Sequence, residues 1–204
     1  VADLEGGMGY MIEQCLQNKM NDRGIRRSIT TVITQILVDK NDPSLKNPTK
    51  FIGPFYSREE AEQLMRERDW LIKKDPGRGF RRVVPSPVPV EILPKEIINL
   101  LVKNDIIVIA AGGGGIPVYR ESSGWLEGVD GVIDKDLSSS VLVMDIGAQQ
   151  LIIMTSFDAV YKNFKKKNQK KISRITLCEL EKLFNQNMFP AGSMGPKIKA
   201  SIQF

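Results

Sequence analysis

Four short stretches of this 204-residue chain offer between them the glycines, cations and carboxylates that handling a phosphate group requires. The first, Gly112-Gly113-Gly114-Gly115, follows directly on the apolar run Ile106–Ala111 and is checked by Pro117. Glycines at the carboxyl end of a strand let backbone N–H groups approach phosphate oxygens closely. Four in a row cost too much chain entropy for a casual turn. No Gly-Lys-Ser/Thr follows, so this is not a Walker A loop, and the spacing does not fit the dinucleotide fingerprint. The second stretch is Val132-Ile133-Asp134-Lys135-Asp136. Asp134 or Asp136 can cap a helix there, but Lys135 is a cation at a positive helix end and is better explained by a nearby anion. The third, Gly192-Ser193-Met194-Gly195-Pro196-Lys197, leads into a helix whose free N–H groups and lysine make a phosphate seat. An ordinary loop with a solvated lysine is the plain alternative. The fourth, Lys46-Asn47-Pro48-Thr49-Lys50, is followed by Gly77-Arg78-Gly79 and Arg81-Arg82. Cations on a covering segment suit a small anion, or are simply solvated.

Composition narrows the chemistry. The chain has no histidine, which excludes Ser-His-Asp and Cys-His catalysis and any His-ligated zinc. Cys15 and Cys178, each on an amphipathic helical pattern, read as reduced, partly buried thiols. No protein-held metal site is expected. A net charge of +5 and a pI of about 9.2 suit anionic ligands. The densest cationic run, Lys165 to Lys167 with Lys170 and Lys171, has no interleaved aromatics for base stacking, so a solvated loop is expected and no nucleic-acid partner. No run is apolar over the roughly 18 residues a membrane span needs. The start at Val1, without Met or signal peptide, is expected to belong to a longer polypeptide.

The elements that must position these residues alternate strand and helix. Met8–Asn18 has helical apolar spacing, and Thr31–Val38 reads as a β-branched strand. Seven prolines between Asp39 and Val90 give that stretch another texture, with a capping box at Ser57 and Glu60 opening a helix to about Arg68. It reads as an inserted lid, because a structureless loop of that length is improbable. The resulting division is a core of residues 1–38 and 91–204 with a protruding subdomain at 39–90. Pro94 starts a helix to about Lys103, stopped at Asn104, and Ile106–Ala111 reads as a strand buried on both faces. Asp136–Met144 is expected helical, Leu151–Thr155 a further buried strand, and Thr176 with Glu179 caps a helix through Phe184. A last helix starts near Pro196. This order predicts an α/β fold, a mainly parallel sheet with helices on both faces.

Several of these stretches resemble the carbamate kinases of the amino-acid-kinase family. They are Val38-Asp39, Asn47-Pro48-Thr49-Lys50 with Ile52-Gly53-Pro54-Phe55, Asp75 to Gly79, and Arg81-Arg82-Val83-Val84-Pro85-Ser86-Pro87. Gly112 to Val118, Val132 to Leu137 and Gly192 to Lys197 complete a colinear set over nearly the whole chain. The proline-rich insert looks like that family's protruding subdomain.

The resemblance implies a three-layer sandwich and a reversible reaction: carbamoyl phosphate and MgADP give carbamate and MgATP. It further implies that Lys135 and Lys197 neutralise the transferring phosphoryl group while Asp134 holds the lysines. Lys50 would reach the carbamoyl end, Gly112, Gly113, Gly114 and Gly115 would line the transfer site, and Thr155, Ser156, Asp158, Tyr161 and Met194 would border the nucleotide. A cytoplasmic homodimer using Mg²⁺ at the end of arginine breakdown is the family's usual setting. The chemistry agrees, since phosphoryl transfer needs positioning and charge neutralisation rather than histidine. The family's Gly-Gly-Asn and Gly-Asn-Gly loops and its C-terminal strands are not found here, Ser156 replaces a common acidic residue, and Gly195 replaces bulkier ones. Those gaps imply a partial chain that is inactive by itself. The rivals are another small-molecule kinase of the same superfamily, a non-catalytic nucleotide-binding relative, and an RNA-binding module resting on net charge alone.

Overall fold

A computed structural model describes residues 1–75, 78–189 and 194–204. Pro76, Gly77, Gly192 and Ser193, which figure in the sequence reading, lie outside the described residues. The expected α/β architecture is observed. Helix α1 (Ala2–Asn21) leads into β1 (Ile29–Val32) and β2 (Gln35–Val38), and later come β6 (Pro89–Ile92), α4 (Lys95–Lys103), β7 (Ile107–Ala110), β8 (Ile116–Arg120) and β9 (Leu126–Gly128). Helices α5 (Lys135–Asp145), α6 (Leu177–Asn185) and α7 (Met194–Gln203) follow, with a small hairpin of β10 (Val160–Lys162) and β11 (Lys170–Ile172) before α6.

The strand expected at Thr31–Val38 is in fact two, interrupted at Ile33-Thr34, and its parallel partner is interrupted at the same level. β1 pairs with β7 and β2 with β8, both parallel, while β6 and β9 flank the second pair antiparallel. Thr34 stitches the double break. It is fully buried, its hydroxyl donates to the Val32 carbonyl at 2.7 Å, and it accepts from the Ala111 N–H at 2.8 Å. Its own carbonyl accepts from Ile116 N–H at 2.8 Å. The break thus leaves few backbone groups unpaired, as burial demands.

Ile36, Val38, Ile92, Ile98, Ala111 and Ile133 form the main apolar core, and Leu180, Phe189 and Ile198 a second one between α6 and α7. Helix α1 lies against β1 because Gly9 offers no side chain: a Cβ there would collide with Thr31. Residues 50–84 build a separate antiparallel sheet, β3 (Lys50–Tyr56), β5 (Gly79–Val84) and β4 (Ile72–Asp75) in that order, with α3 (Arg58–Arg68) beside it. Just ahead of it, a short α2 (Pro43–Lys46) is capped by Asp42, whose carboxylate accepts from Ser44 N–H at 2.8 Å and Val88 N–H at 2.9 Å. That one buried side chain ties the chain entering this insert to the chain leaving it. Both capping boxes, Ser57/Glu60 and Thr176/Glu179, form as their spacing requires.

Three sequence expectations need correction. Leu151–Thr155 forms no strand, and Ile152 and Met154 are exposed, because no strand pairs with it among the described residues. The run at Ile106–Ala111 is half-buried over Ile107–Ala110 rather than buried on both faces, since among the described residues β7 has a single sheet neighbour, β1. Cys15 and Cys178 are exposed free thiols on α1 and α6, not partly buried ones. Their amphipathic helices turn them towards solvent.

Candidate active site

The N-terminal turn of α5 gathers the charged residues. Asp134 is its N-cap, accepting from the Asp136 N–H at 2.9 Å through one carboxylate oxygen. Its other oxygen lies 3.6 Å from Lys50 Nζ, which also donates to the Ile133 carbonyl at 3.0 Å. Residues 83 positions apart are thereby joined, β3 delivering Lys50 to the core. Burial pushes the Lys50 pKa below the usual lysine value. The Asp134 carboxylate opposes that shift and the Lys135 charge adds to it.

Asp136, in the first helical turn, is the anchor that sequence reasoning missed as such. Both its oxygens lie 3.1 Å from Lys197 Nζ on α7, and Lys135 Nζ is 4.0 Å from one of them. Asp136 and Lys197 are largely buried, at 10% and 18% side-chain exposure, whereas Lys135 is 65% exposed. The role of lysine holder, expected of Asp134 alone, is therefore divided: Asp134 takes Lys50, and Asp136 takes Lys197 and Lys135. The acid directly after the Asp134-Lys135 pair, on the same helix start, was the available signal. It also offsets part of the cost of a cation at a helix N-terminus.

A cavity of about 320 Å³ opens beside these groups, walled by Asp134, Lys135, Asp136 and Lys197. Thr155, Ser156 and Met194, named from sequence as nucleotide neighbours, line its other side. A wider cavity of about 700 Å³ shares Asp134 and Pro196 with it and runs beneath the antiparallel sheet, past Lys50. Asp158 and Tyr161 are not brought into either described wall. They pair with each other at 2.8 Å near the β10–β11 hairpin, where Lys171 stands 3.9 Å from the same carboxylate. The basic run Lys165 to Lys171 caps and edges that hairpin.

The glycine quartet takes a different position from the one expected. Gly112 and Gly113 line a third, apolar cavity against α1, and none of the four is in the wall of the two charged cavities. Gly114 has φ +109°, and a Cβ there would strike the Ile133 carbonyl. Its own carbonyl accepts from the buried Ser138 hydroxyl of α5 at 2.7 Å. The loop thus lets the start of α5 settle directly onto residues 112–114, with β6 as its neighbouring strand. A second unforeseen residue secures it. Glu5, 4% exposed, accepts from Thr34 N–H at 3.2 Å with one oxygen and from Gly112 N–H at 3.0 Å with the other. Burial raises the Glu5 pKa, against the pull of those two bonds. Nothing in sequence pointed to it, because its partners are 29 and 107 positions away.

Of the insert's cations, Arg81 is committed to structure, donating twice to the Gly53 carbonyl at 3.2 and 3.0 Å and lying 3.6 Å from Asp75. Arg82 stacks on Trp70, 4.5 Å from the ring centroid. Both Asp134 and Asp136 are engaged by lysines, and among the described residues no group of three acidic or cysteine side chains could hold a metal. No helix among them is long and apolar enough to cross a membrane.

Lysines from three separate elements thus meet two carboxylates on one helix turn. The amino acid kinase family profile matches residues 11–204. The chain belongs to that family. Within it, the chain is 45% identical to the carbamate kinase of Pyrococcus horikoshii over 200 residues, covering 98% of this chain and 63% of that protein. It is 47% identical to the carbamate kinase of Clostridium perfringens, with the same coverage. Among solved structures of the family, carbamate kinase from Giardia lamblia bound to AMP-PNP superposes with a TM-score of 0.88 at 41% identity, covering all of this chain and 64% of that one. The chain therefore spans less than two thirds of the length of these amino acid kinase relatives.

Proposed function

We propose that the protein is a carbamate kinase, transferring a phosphoryl group reversibly between carbamoyl phosphate and ADP. The observation that carries this is the convergence of Lys50, Lys135 and Lys197 on Asp134 and Asp136 at the mouth of two joined cavities. The likeness to carbamate kinases over the whole chain supports the same reading.

In the proposed mechanism the narrower cavity takes the nucleotide, bordered by Thr155, Ser156 and Met194. One of those solved relatives was bound to AMP-PNP, which supports a nucleotide here. Lys135 is the exposed cation and faces the transferring group, while Lys197, fixed by Asp136, adds a second positive charge from α7. Such preorganised charge needs no rearrangement as the transition state forms. Lys50 reaches from β3 over the acceptor, and residues 39–90 form the protruding subdomain that covers it. Carbamate arrives as an oxyanion, so no general base is needed. The glycine quartet supports the turn from behind.

With both carboxylates engaged by lysines, the site suits a Mg²⁺ carried on the nucleotide's own phosphates rather than in a protein cage. When bound, Mg²⁺ would share the charge of the phosphate oxygens. The resemblance further implies a cytoplasmic homodimer acting at the end of arginine breakdown. Measuring ADP-dependent ATP formation from carbamoyl phosphate on the full-length gene product tests the reading. Activity with carbamoyl phosphate but not with phosphorylated amino acids or UDP as the phosphoryl donor supports it, and the converse pattern overturns it.

A further inference from the structure

Glu5 is a buried carboxylate that the proposed reaction leaves unused, yet it stands at one end of a line of contacts that finishes on Lys50. Its two oxygens are divided between the strand break, at Thr34 N–H, and the glycine turn, at Gly112 N–H. The residue just before Gly112 is Ala111, which is buried, bears a Cβ and nevertheless has φ +54° and ψ 32°. That left-handed conformation is disfavoured for a residue other than glycine, and it persists where surrounding bonds over-determine it. Here those bonds come from the Thr34 hydroxyl, which accepts from Ala111 N–H, and from Glu5, which accepts from the next N–H along. β1, β7 and the glycine turn, which pack against α1, carry no ionisable side chain, so the two N–H bonds are what the carboxylate holds.

The turn then runs on to Gly114, whose N–H closes onto the Ala111 carbonyl at 3.1 Å. Gly114 passes so near the Ile133 carbonyl that no Cβ fits between them. That same carbonyl accepts from Lys50 Nζ at 3.0 Å. Ile133 is fully buried, and a close-packed interior passes a shift on to its neighbours because no void absorbs it.

We propose that Glu5 is a positioning residue for Lys50: through residues 112–114 it sets the Ile133 carbonyl on which the Lys50 ammonium rests. Its meaning for catalysis rests on the proposed function, in which Lys50 stands over the acceptor. Glu5 touches no reacting group, and its influence is confined to the acceptor side. Lys197, fixed from α7 by Asp136, lies outside this line of contacts.

Two measurements test this. The first is independent of activity: NMR of the full chain carrying isotopically labelled lysine, with the ε-methylene signals of Lys50 and Lys197 assigned by single lysine replacements. Glu5→Gln keeps the shape of the side chain but turns an NH₂ group towards one of the two backbone donors. It is expected to move the Lys50 signal towards the free-lysine position and to leave the Lys197 signal in place. A general loosening of the fold would move both. The second is steady-state ATP formation by the full-length gene product. Glu5→Gln is expected to raise the KM for carbamoyl phosphate about fivefold and to change the KM for ADP less than about twofold. In a Lys50→Ala background the rise should vanish, because the two residues act as one unit. Ser138→Ala releases the Gly114 carbonyl from the opposite side of the turn and supplies both comparisons where Glu5→Gln does not fold. A Lys50 signal that stays in place, two signals that move together, or a KM rise that persists without Lys50 overturns the proposal. A shift specific to Lys50 in a protein that forms no ATP would sink the proposed reaction and leave the coupling standing. ATP formation with the Lys50 signal unmoved would do the reverse.

Discussion

Two turns, each at an edge of the same core, illustrate how differently a polar-looking segment can be used. Residues 132–136 bring charge to a cavity: Asp134 and Asp136 face two lysines delivered from β3 and α7. Residues 112–115 bring almost nothing but backbone, and they face inward, against the Ile133 carbonyl, Ser138 and Glu5. By composition the glycine run looks the more chemical of the two. In the fold it is the spacer that lets the other one sit where it does, because only a residue without Cβ fits between β7 and the start of α5. Chemistry and support are adjacent here and easily confused in sequence.

Substitutions can separate them, and the largest effect belongs to the charged turn. Asp136→Ala strands the mostly buried Lys197, so it is expected to cost about 3 kcal/mol of stability as well as activity. Chemical denaturation showing wild-type stability would mean that the pair is not holding α7. Lys135→Ala should lose roughly 100-fold in turnover, comparable with removing one oxyanion contact. Its 65% exposed side chain predicts an unchanged melting temperature. Near-normal ATP formation by that variant would remove Lys135 from the mechanism. On the spacer side, Gly114→Ala is expected to destabilise by about 2 kcal/mol through overpacking against Ile133. If instead it reduced turnover with stability untouched, the glycine loop would be chemical after all.

Two pH profiles sharpen the same contrast. Lys50 has a lowered pKa from burial, so it loses its proton below the ordinary lysine value of 10.5. Substrate affinity should therefore decline on the alkaline side before that pH, and Lys50→Arg should shift the decline upward. An identical profile for both proteins would separate Lys50 from the substrate. Glu5 has a raised pKa, so the folded state binds more protons than the unfolded one just above pH 4.5. Its contribution to stability is complete below that value and is lost as pH rises through the folded pKa. The melting temperature of the wild type relative to Glu5→Gln should fall across that window. A flat difference would show that the carboxylate is not paying for its burial.

Much of the local structure was legible in the chain. The capping boxes at Ser57/Glu60 and Thr176/Glu179 and the stop at Asn104 depend on neighbours within one helical turn, and they stand as expected. The strand at Leu151–Thr155 failed because a strand is completed by a partner, and an apolar run without one stays open. Lys50, Asp134, Lys135 and Lys197, singled out in the sequence, lie together at the start of α5, yet the division of lysines between Asp134 and Asp136 could not be read. That division depends on which way α7 rolls when Ile198 and Ala200 bury. Glu5 was invisible for a related reason, since its carboxylate gains meaning only from two backbone N–H groups delivered by other elements.

The order of most helices and strands, the absence of histidine and the excess of lysine plus arginine over acid were determined by the chain itself, because composition and short-range pattern dictate them. Which lysine meets which carboxylate, and that the glycines pack against Ile133, Ser138 and Glu5, was decided by tertiary packing. A contact across 61 or 83 positions has no local signature. It exists only once the cores on either side have closed.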